Sequence, residues 1–404
     1  MRFLLLKQFI IFLSILTSLL GFIYFYSASR LITGFSLGGS VVYVIWLLVG
    51  LLVLLVPITY GFSRLSRKEK TQTFFAYLSF TNFGFFTILF TLVLGMDIFR
   101  LLDFGFVSAY SESLFQFLVS LGFPLDGVTE VKGFSLAFTT LGLAIGLSSL
   151  GVYNAHIRIK TKIVNVEVDG LHDDLQGFTI VQISDIHIGP TIKAKFLKRV
   201  VSRINAIHPG LVAITGDLVD GPAPVLKKYL SPLQDLKTNL GTYYVTGNHE
   251  YYSGVLSWIP EIQNLGINVL LNQNKILEVG NAKLLIAGVT DLSAGKMLPS
   301  HQTNPKRAME GGELCDYKIV LAHQPNSIYE TSKYGFDLQL SGHTHGGQYF
   351  PGNILIYFAQ KFVAGLHQYK NTKIYVSRGT GYWGPPLRLG APAEITVLKL
   401  MKKQ

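Results

Sequence analysis

The stretch TIVQISDIHIG, residues 179–189, decides how the second half of this chain is interpreted. Its first five residues form a short apolar run typical of a buried strand, and an Asp-x-His triplet follows at Asp185 and His187. The stretch LVAITGDLVD, residues 211–220, repeats this arrangement with Asp217 and Asp220. In open α/β sheets, ligands bind beyond the carboxyl ends of the strands. The two stretches therefore predict an α/β domain with reactive side chains at one sheet edge.

Three further strand candidates are followed by Asn or His residues: Thr242–Val245 by Asn248 and His249, Ile319–Leu321 by His323, and Leu338–Leu340 by His343 and His345. A lone residue such as His323 is more often a hydrogen-bonded histidine than a ligand, and Gly-Asp and Gly-Asn pairs occur in ordinary turns. Five such sites, each after a strand, are poorly explained by accident. Mixed imidazole and carboxylate ligation suits Mn²⁺, Fe²⁺ or Zn²⁺ better than Mg²⁺.

The order D-x-H, G-D-x-x-D, G-N-H-E, H and G-H-x-H resembles that of the calcineurin-like metallophosphoesterases, from Asp185 to the C-terminus. The closing segments Ser377–Gly381 and Pro385–Leu389 resemble the bacterial, membrane-linked branch of that superfamily. The resemblance implies a four-layer αββα sandwich with two divalent metal ions at its edge. These motifs are specific for the superfamily and weakly specific for the substrate.

The resemblance also implies a role for each motif residue. Two sets of metal ligands and one shared carboxylate match the family. The sets are Asp185, His187 and His345 for one ion and Asn248, His323 and His343 for the other, and Asp217 matches the carboxylate that bridges both ions. His249 matches a catalytic histidine that protonates the leaving alkoxide, and Asp220 matches the carboxylate that orients it. An ordinary turn residue is the alternative for Asp220, and Glu250 is expected to be structural. Arg388 is a candidate for holding a substrate phosphate, with a surface ion pair as the alternative.

The implied reaction is hydrolysis of a phosphate monoester, diester or pyrophosphate by direct attack of a metal-bridging hydroxide. Some members of the superfamily cleave the pyrophosphate of UDP-diacylglucosamine, and a lipid-linked substrate of that kind is the specific expectation here. Soluble phosphodiesters, phosphoproteins and nucleic acids remain alternative substrates because the same centre serves them.

Four apolar stretches without Asp, Glu, Lys or Arg lie near the N-terminus: Gln8–Tyr26, Val41–Tyr60, Phe74–Met96 and Phe134–Tyr153. Each has about the 20 residues that an α-helix needs to cross a bilayer. They predict a transmembrane region of four helices at residues 1–155, followed by the catalytic domain at residues 156–404. The shorter stretch Ser111–Leu125 contains Pro124 and is expected to be interfacial or re-entrant.

The distribution of Lys and Arg predicts the orientation of these spans. Basic residues cluster after the second and fourth spans, at Arg64, Arg67, Lys68, Lys70, Arg158, Lys160 and Lys162. The first loop has Arg30 alone, and the third has Arg100 and Lys132 among Asp97, Asp103, Glu112, Asp126 and Glu130. We therefore expect an integral protein of the cytoplasmic (inner) membrane with its catalytic domain in the cytoplasm.

The composition limits the partners. The 404 residues carry a formal charge of +11, which suits a membrane surface or a phosphorylated substrate. No basic stripe with interleaved aromatic residues is present, so nucleic acid is not expected as a partner. The single cysteine, Cys315, excludes an intrachain disulfide. The rival interpretation is a membrane receptor or transporter regulated by its metal domain, although the polar residues within the spans are uncharged.

An apolar run, Gly352–Gly365, directly follows the ligand motif at His343 and His345. Its large apolar residues Ile354, Tyr357, Phe358 and Phe362 recur at roughly helical spacing. Two interpretations are open at this point. This face either packs on the core of the sandwich or lies against the bilayer and guides a lipid-linked phosphate to the metals.

Overall fold

The structure, a computed structural model, describes residues 2–65, 68–102, 106–125 and 130–403. The chain divides into a helical unit, residues 1–151 with 384–386, and an α/β unit, residues 152–383 and 387–404. The predicted domain boundary between residues 155 and 156 lies in the last turn of a helix, and the α/β unit already begins at Val152.

The helical unit has five helices in its described residues: α1 (Arg2–Gly34), α2 (Ser40–Leu65), α3 (Glu69–Leu101), α4 (Phe106–Ser120) and α5 (Val131–His156). Four of them, α1, α2, α3 and α5, are long and apolar enough to cross a membrane, which confirms the four predicted spans. Helix α4 has 15 residues, too few for a span, and Pro124 lies beyond its end. Its interfacial or re-entrant placement stays a prediction.

Contacts within the helical unit hold α1, α2 and α3 together. The Tyr24 and Phe86 rings stack with centroids 3.8 Å apart, and the Asn82 amide donates to the Leu52 carbonyl over 2.9 Å. Near the ends of α1 and α3, Arg30 Nε lies 2.7 Å from Asp97 Oδ2. The ends of the first and third helices thus meet, as alternating spans require. Three residues of the orientation argument, Arg67, Asp103 and Asp126, lie outside the described residues.

The α/β unit contains two six-stranded sheets, in the orders β1-β12-β2-β3-β4-β5 and β10-β11-β9-β8-β7-β6. The strands of the first sheet are β1 (Lys160–Val168), β2 (Thr179–Ile183), β3 (Leu211–Thr215), β4 (Thr242–Val245), β5 (Asn268–Val269) and β12 (Glu394–Lys402). Those of the second are β6 (Gln273–Val279), β7 (Ala282–Gly288), β8 (Tyr317–Leu321), β9 (Leu338–Ser341), β10 (Gly365–Tyr369) and β11 (Thr372–Val376).

The helices of this unit are short compared with the spans. They are α6 (Ala194–Asn205), α7 (Ala223–Leu226), α8 (Asn248–Tyr252), α9 (Val255–Gln263), α10 (Ala294–Met297), α11 (Pro305–Met309), α12 (Ile328–Thr331) and α13 (Gly352–Ala359). Helix α6 is amphipathic because Leu197, Val200 and Ile204 recur on one buried face.

Period-two burial along the strands builds four layers. Between the sheets, Ile180 and Leu211 of the first pack in one cluster with Leu284 and Ile319 of the second. On the outer face of the first sheet, neighbouring strand residues pack against α6 and α9. On the outer face of the second, Leu285 and its neighbours pack against α11. The predicted αββα sandwich is therefore confirmed.

The sheet topology positions the motif residues. Strands β2, β3 and β4 are adjacent and parallel, and so are β8 and β9. Their carboxyl ends, where the motifs begin, therefore lie side by side within each sheet. The Gln182 amide of the first sheet donates to the Ser341 carbonyl of the second over 2.9 Å, which joins the two sheets at this edge.

Candidate metal centre

The loops that carry the motifs have unusual backbone conformations. Five predicted ligands have positive φ angles of 50–70°: Asp185, His187, Asp217, His343 and His345. Non-glycine residues seldom adopt this region, at a cost of about 1–3 kcal/mol each, and such residues cluster at functional sites. Backbone strain here accompanies the convergence of side chains on one point.

Motif glycines permit close approach between the loops. A Cβ atom on Gly247 would lie 2.2 Å from Asp217 Oδ1, and one on Gly342 would lie 2.2 Å from Asp185 Oδ2. A side chain at either position would thus displace a predicted metal ligand.

The first cluster consists of Asp185, His187 and His345, all buried or nearly so. The two imidazoles approach with their Nε2 atoms 3.1 Å apart, and His345 Nε2 lies 3.5 Å from Asp185 Oδ1. Three potential ligand atoms thus lie within 4.8 Å of one another.

The second cluster consists of Asp217, His323 and His343. His323 Nε2 lies 3.2 Å from Asp217 Oδ2 and 3.2 Å from His343 Nδ1. The same Asp217 Oδ2 atom lies 3.8 Å from His187 Nε2 of the first cluster. Asp217 therefore stands between the two clusters, and its carboxylate is close to both.

Asn248 adds an unsatisfied oxygen at the same place. Its side chain is buried, and its Oδ1 atom has no hydrogen-bond partner within the described part of the chain. Leaving a buried carbonyl-type oxygen unpaired costs about 1–3 kcal/mol. Together with the imidazoles and carboxylates, this oxygen makes a donor set that fits divalent transition-metal ions.

Burial dominates the electrostatics of the cluster. It lowers the pKa of His187 and of His343 to about 4 and that of His345 well below its usual value. These imidazoles are therefore neutral and retain lone pairs for a metal ion. Burial also raises the pKa of Asp185 to about 6.

Asp217 and His323 behave as a buried ion pair. Burial acts against the charge of each, but the charge and hydrogen bond of His323, together with the charges of His187 and His249, outweigh it and lower the pKa of Asp217. The Asp217 carboxylate in turn raises the pKa of His323 well above its usual value. The centre thus favours a positive charge beside Asp217.

His249 lies at the edge of the clusters, and its side chain is more exposed than those of His187, His323 and His345. Its Nδ1 atom is 3.2 Å from Asp220 Oδ1, and its backbone N–H donates to Asp217 Oδ1 over 2.9 Å. Burial opposes protonation of the ring, but the Asp220 hydrogen bond and the neighbouring carboxylates raise its pKa. The exposed rings of Tyr252 and Trp383 have their centroids 5.4 and 5.7 Å from that of His249.

Glu250 is fully buried and binds backbone amides. Its carboxylate accepts hydrogen bonds from the N–H groups of Asp217, Leu218, Val219 and Gly247, over 2.6–3.2 Å. These bonds join the loop after β3 to the start of α8. These contacts fit the structural role expected of Glu250, whose carboxylate binds the backbone of the Asp217 loop.

Arg388 does not have the surroundings predicted for a substrate-binding residue. It is fully buried and donates to the carbonyls of Gly381, His345 and Arg378, over 2.7–3.0 Å. Its Nη2 atom also lies 3.1 Å from His345 Nδ1. The burial of Arg388 contradicts a surface ion pair, and substrate binding by this residue stays a prediction. The residue holds the loop of His345.

Asp291 is a buried carboxylate that the motifs do not include. Its carboxylate accepts a hydrogen bond over 3.0 Å from the side-chain amide of Gln324, the residue that follows His323. The charge of Asp291 also helps to raise the pKa of His323. Asp291 follows β7 as the other motif residues follow their strands, and this signal could have identified it. The aromatic residues Tyr252 and Trp383 carry no comparable sequence signal.

Comparison with known proteins places the chain among phosphoesterases. The family model described as calcineurin-like phosphoesterase matches residues 178–347, which include all seven predicted metal ligands and His249. A Bos taurus transmembrane protein with metallophosphoesterase domain is 34% identical over 351 residues, 80% of this chain and 79% of that protein. The Danio rerio protein of the same description is 33% identical, covering 80% and 73%.

Bacterial proteins match as well. An uncharacterized metallophosphoesterase of Campylobacter jejuni is 38% identical over 264 residues, 65% of this chain and 68% of that protein. Among solved structures, an archaeal phosphodiesterase is similar with a TM-score of 0.29 and 12% identity, over 50% of this chain and 85% of that one. The relatives thus include both animals and bacteria.

The buried Asp and His clusters at the edge of an αββα sandwich, with these matches, define a metal-dependent phosphoesterase, a hydrolase that acts on ester bonds. The chain belongs to the calcineurin-like phosphoesterase family. Its four candidate spans and its transmembrane relatives make it a membrane-linked member of that family.

Proposed function

We propose that this protein binds two divalent metal ions and uses them to hydrolyse a phosphate ester or pyrophosphate carried by a lipid. The position of Asp217 is the observation that carries the proposal. Its Oδ2 atom lies 3.2 Å from His323 and 3.8 Å from His187, so one carboxylate is close to both clusters. A two-metal phosphoesterase needs such a shared oxygen donor.

The ligand sets follow the two clusters. Asp185, His187 and His345 would hold one ion, and Asn248, His323 and His343 the other, with Asp217 shared. Mn, Fe or Zn would suit these ligands. Bound there, the ions would polarise the phosphoryl oxygens and lower the pKa of water, so that hydroxide is available near neutral pH.

His249 would supply the proton for the leaving group. Direct attack on phosphorus displaces an alkoxide, which leaves readily only when it is protonated. The hydrogen bond to Asp220 uses Nδ1 of His249, so the proton would come from Nε2. Asp220 would fix the orientation of the ring and stabilise its protonated form.

Membrane attachment supports the choice of substrate class. The four candidate spans hold the hydrolase beside a bilayer, where lipid headgroups present a high local concentration of phosphate esters. The distribution of Lys and Arg supports a catalytic domain on the cytoplasmic side of the inner membrane. UDP-diacylglucosamine is the specific candidate, because some members of the superfamily cleave its pyrophosphate.

The decisive experiment replaces the shared ligand. Purified Asp217→Ala protein should lose both metal ions and should lose hydrolysis of a generic aryl phosphate ester. Metal content by mass spectrometry and turnover of p-nitrophenyl phosphate measure the two effects, and a chelator should reproduce the loss in the wild type. Near-normal metal content and activity in Asp217→Ala would contradict the two-metal assignment.

A further inference from the structure

Helix α13 is apolar and largely uncovered. Its sequence, GNILIYFA, has no charged residue, and none of its residues is buried. Ile354, Leu355, Tyr357 and Phe358 are 54, 57, 66 and 87% exposed. At 3.6 residues per turn these four side chains fall within one face, roughly 160° wide. Contiguous exposed apolar patches of this kind mark interaction surfaces.

Hydrogen bonds attach α13 to the loop of the metal centre. At its start, the Asn353 N–H donates to the Tyr349 carbonyl over 3.2 Å. Just beyond its end, the Val363 carbonyl accepts from the hydroxyl of Thr344, between His343 and His345, over 2.6 Å. The exposed helix is therefore held at a fixed place beside two predicted metal ligands.

The same loop also positions an exposed aromatic ring beside His249. Gln348 exchanges two hydrogen bonds with the Trp383 backbone, over 2.8 and 2.9 Å. The Trp383 side chain is 53% exposed, and its ring packs edge to face with that of His249, with the centroids 5.7 Å apart. The loop that carries His343 and His345 therefore holds two exposed apolar groups, helix α13 and the Trp383 ring beside His249.

The chain itself indicates what covers this helix. Four candidate spans anchor it in a bilayer, and three residues separate the end of α5 at His156 from the start of β1 at Lys160. Only this short connection therefore separates the last candidate span from the first strand of the α/β unit. Tyr357 suits the headgroup level of a bilayer, and Lys361, just after α13, suits anionic headgroups.

We propose that α13 contacts the bilayer that anchors the chain, inserting Leu355 and Phe358 at the level of the acyl chains near the headgroups. The metal centre would then face phosphate groups carried by lipids in that surface. The lipid contact stands independently of catalysis, whereas the delivery of substrate rests on the proposed function.

The contact can be measured without any hydrolysis. The full-length protein in phosphatidylcholine–phosphatidylglycerol nanodiscs would carry Cys315→Ala and one new labelling site, either Phe358→Cys or Leu314→Cys. Leu314 is the matched control because it is 96% exposed and precedes β8, at the strand end opposite His323. An environment-sensitive fluorophore at residue 358 should be quenched by nitroxide-labelled lipids, and the one at residue 314 should not.

Two results would overturn the lipid contact. Equal quenching at residues 358 and 314 would show that α13 has no preferential contact with the bilayer. Disulfide cross-linking between copies through Phe358→Cys, without lipid quenching, would assign the face to a second copy of this chain.

Delivery of substrate needs a separate measurement. Leu355→Ser/Phe358→Ser should lower hydrolysis of a nanodisc phospholipid carrying p-nitrophenol on its phosphate by about tenfold or more, because apolar insertion energy is lost. Hydrolysis of soluble bis-p-nitrophenyl phosphate should stay unchanged, and so should both activities of Leu314→Ser. Equal activity of the double variant and the wild type on the lipid would refute delivery. No hydrolysis of either ester by the wild type would refute the proposed function, while lipid quenching would still establish the contact.

Discussion

Asp220 and Arg388 show how differently single side chains can be interpreted from one sequence. Asp220 was open to two interpretations, and its contact with His249 Nδ1 at 3.2 Å favours the orienting role. For Arg388 the sequence allows either a substrate-phosphate contact or a surface ion pair. Its guanidinium instead forms the hydrogen bonds that backbone carbonyls around His345 require. The distinction depends on burial, which a motif does not encode.

His249→Ala should separate proton transfer from metal binding. The variant should keep its metal content and lose turnover of an alkyl phosphate ester by about 10²–10⁴-fold, the usual scale for general acid catalysis. The loss should be smaller for a nitrophenyl ester, because nitrophenolate leaves without a proton. An equal loss on both esters, with metals intact, would argue against the acid role.

Arg388→Leu should lower metal content and thermal stability together. The change leaves the carbonyls of Gly381, His345 and Arg378 without their charged donor, at a cost of about 1.5–3 kcal/mol for each hydrogen bond. Arg388→Lys should restore little, because an ammonium group lacks the planar fork of donors. A selective rise in KM with normal metal content would instead support the substrate-binding role.

Helix α13 illustrates what periodicity alone leaves undecided. The spacing of Ile354, Tyr357, Phe358 and Phe362 predicts one apolar face whose residues are either all in the core or all against the bilayer. The helix ends at Ala359, however, and the chain then turns so that Phe362 is buried against Ile374 and Val376. Phe358 stays 87% exposed. The interpretation as core therefore holds for Phe362 and is wrong for Phe358.

Phe358→Ser and Phe362→Ser should therefore differ in stability. Phe362→Ser should destabilise the α/β unit by roughly 3–5 kcal/mol, the range for removing a buried Phe side chain. Phe358→Ser should leave the unfolding transition nearly unchanged. Thermal unfolding of both variants in detergent, followed by tryptophan fluorescence, makes the comparison, and a similar loss in both would contradict the different burial of the two rings.

The two units of the chain differ in character: one is an αββα sandwich and the other a set of apolar helices. The α/β unit has a fold and a family that agree with each other. The helical unit has four candidate spans, and the contact of Arg30 with Asp97 places the ends of α1 and α3 together. That contact is compatible with either orientation, so the proposed cytoplasmic position of the catalytic unit rests on the charges of the loops.

Reporter fusions test that orientation. Fusions after Lys70 and at the C-terminus should both be active on the cytoplasmic side, and a fusion near Ser111 should be active outside. The physical reason is the cluster of basic residues in the second loop and after α5, which the positive-inside rule retains in the cytoplasm. A C-terminal fusion that is active outside would move the metal centre to the other face of the membrane.

The polar and apolar pattern was enough to predict the spans and the strands that carry the motifs, because those elements are long or strongly apolar. The four-layer sandwich was implied by the resemblance to the calcineurin-like metallophosphoesterases. The pattern did not predict β5, β6 or β10. These strands lie at or near sheet edges, are short or rich in polar residues, and depend on their neighbours for pairing.

The motif order also predicted which residues converge, because the carboxyl ends of parallel strands meet at one edge. It did not predict that Arg388 is buried, that Glu250 accepts hydrogen bonds from the Asp217 loop or that Phe358 is exposed. Each of these depends on contacts between segments far apart in the chain. Periodicity and motif spacing describe neighbours in sequence, whereas burial is a property of the packed chain.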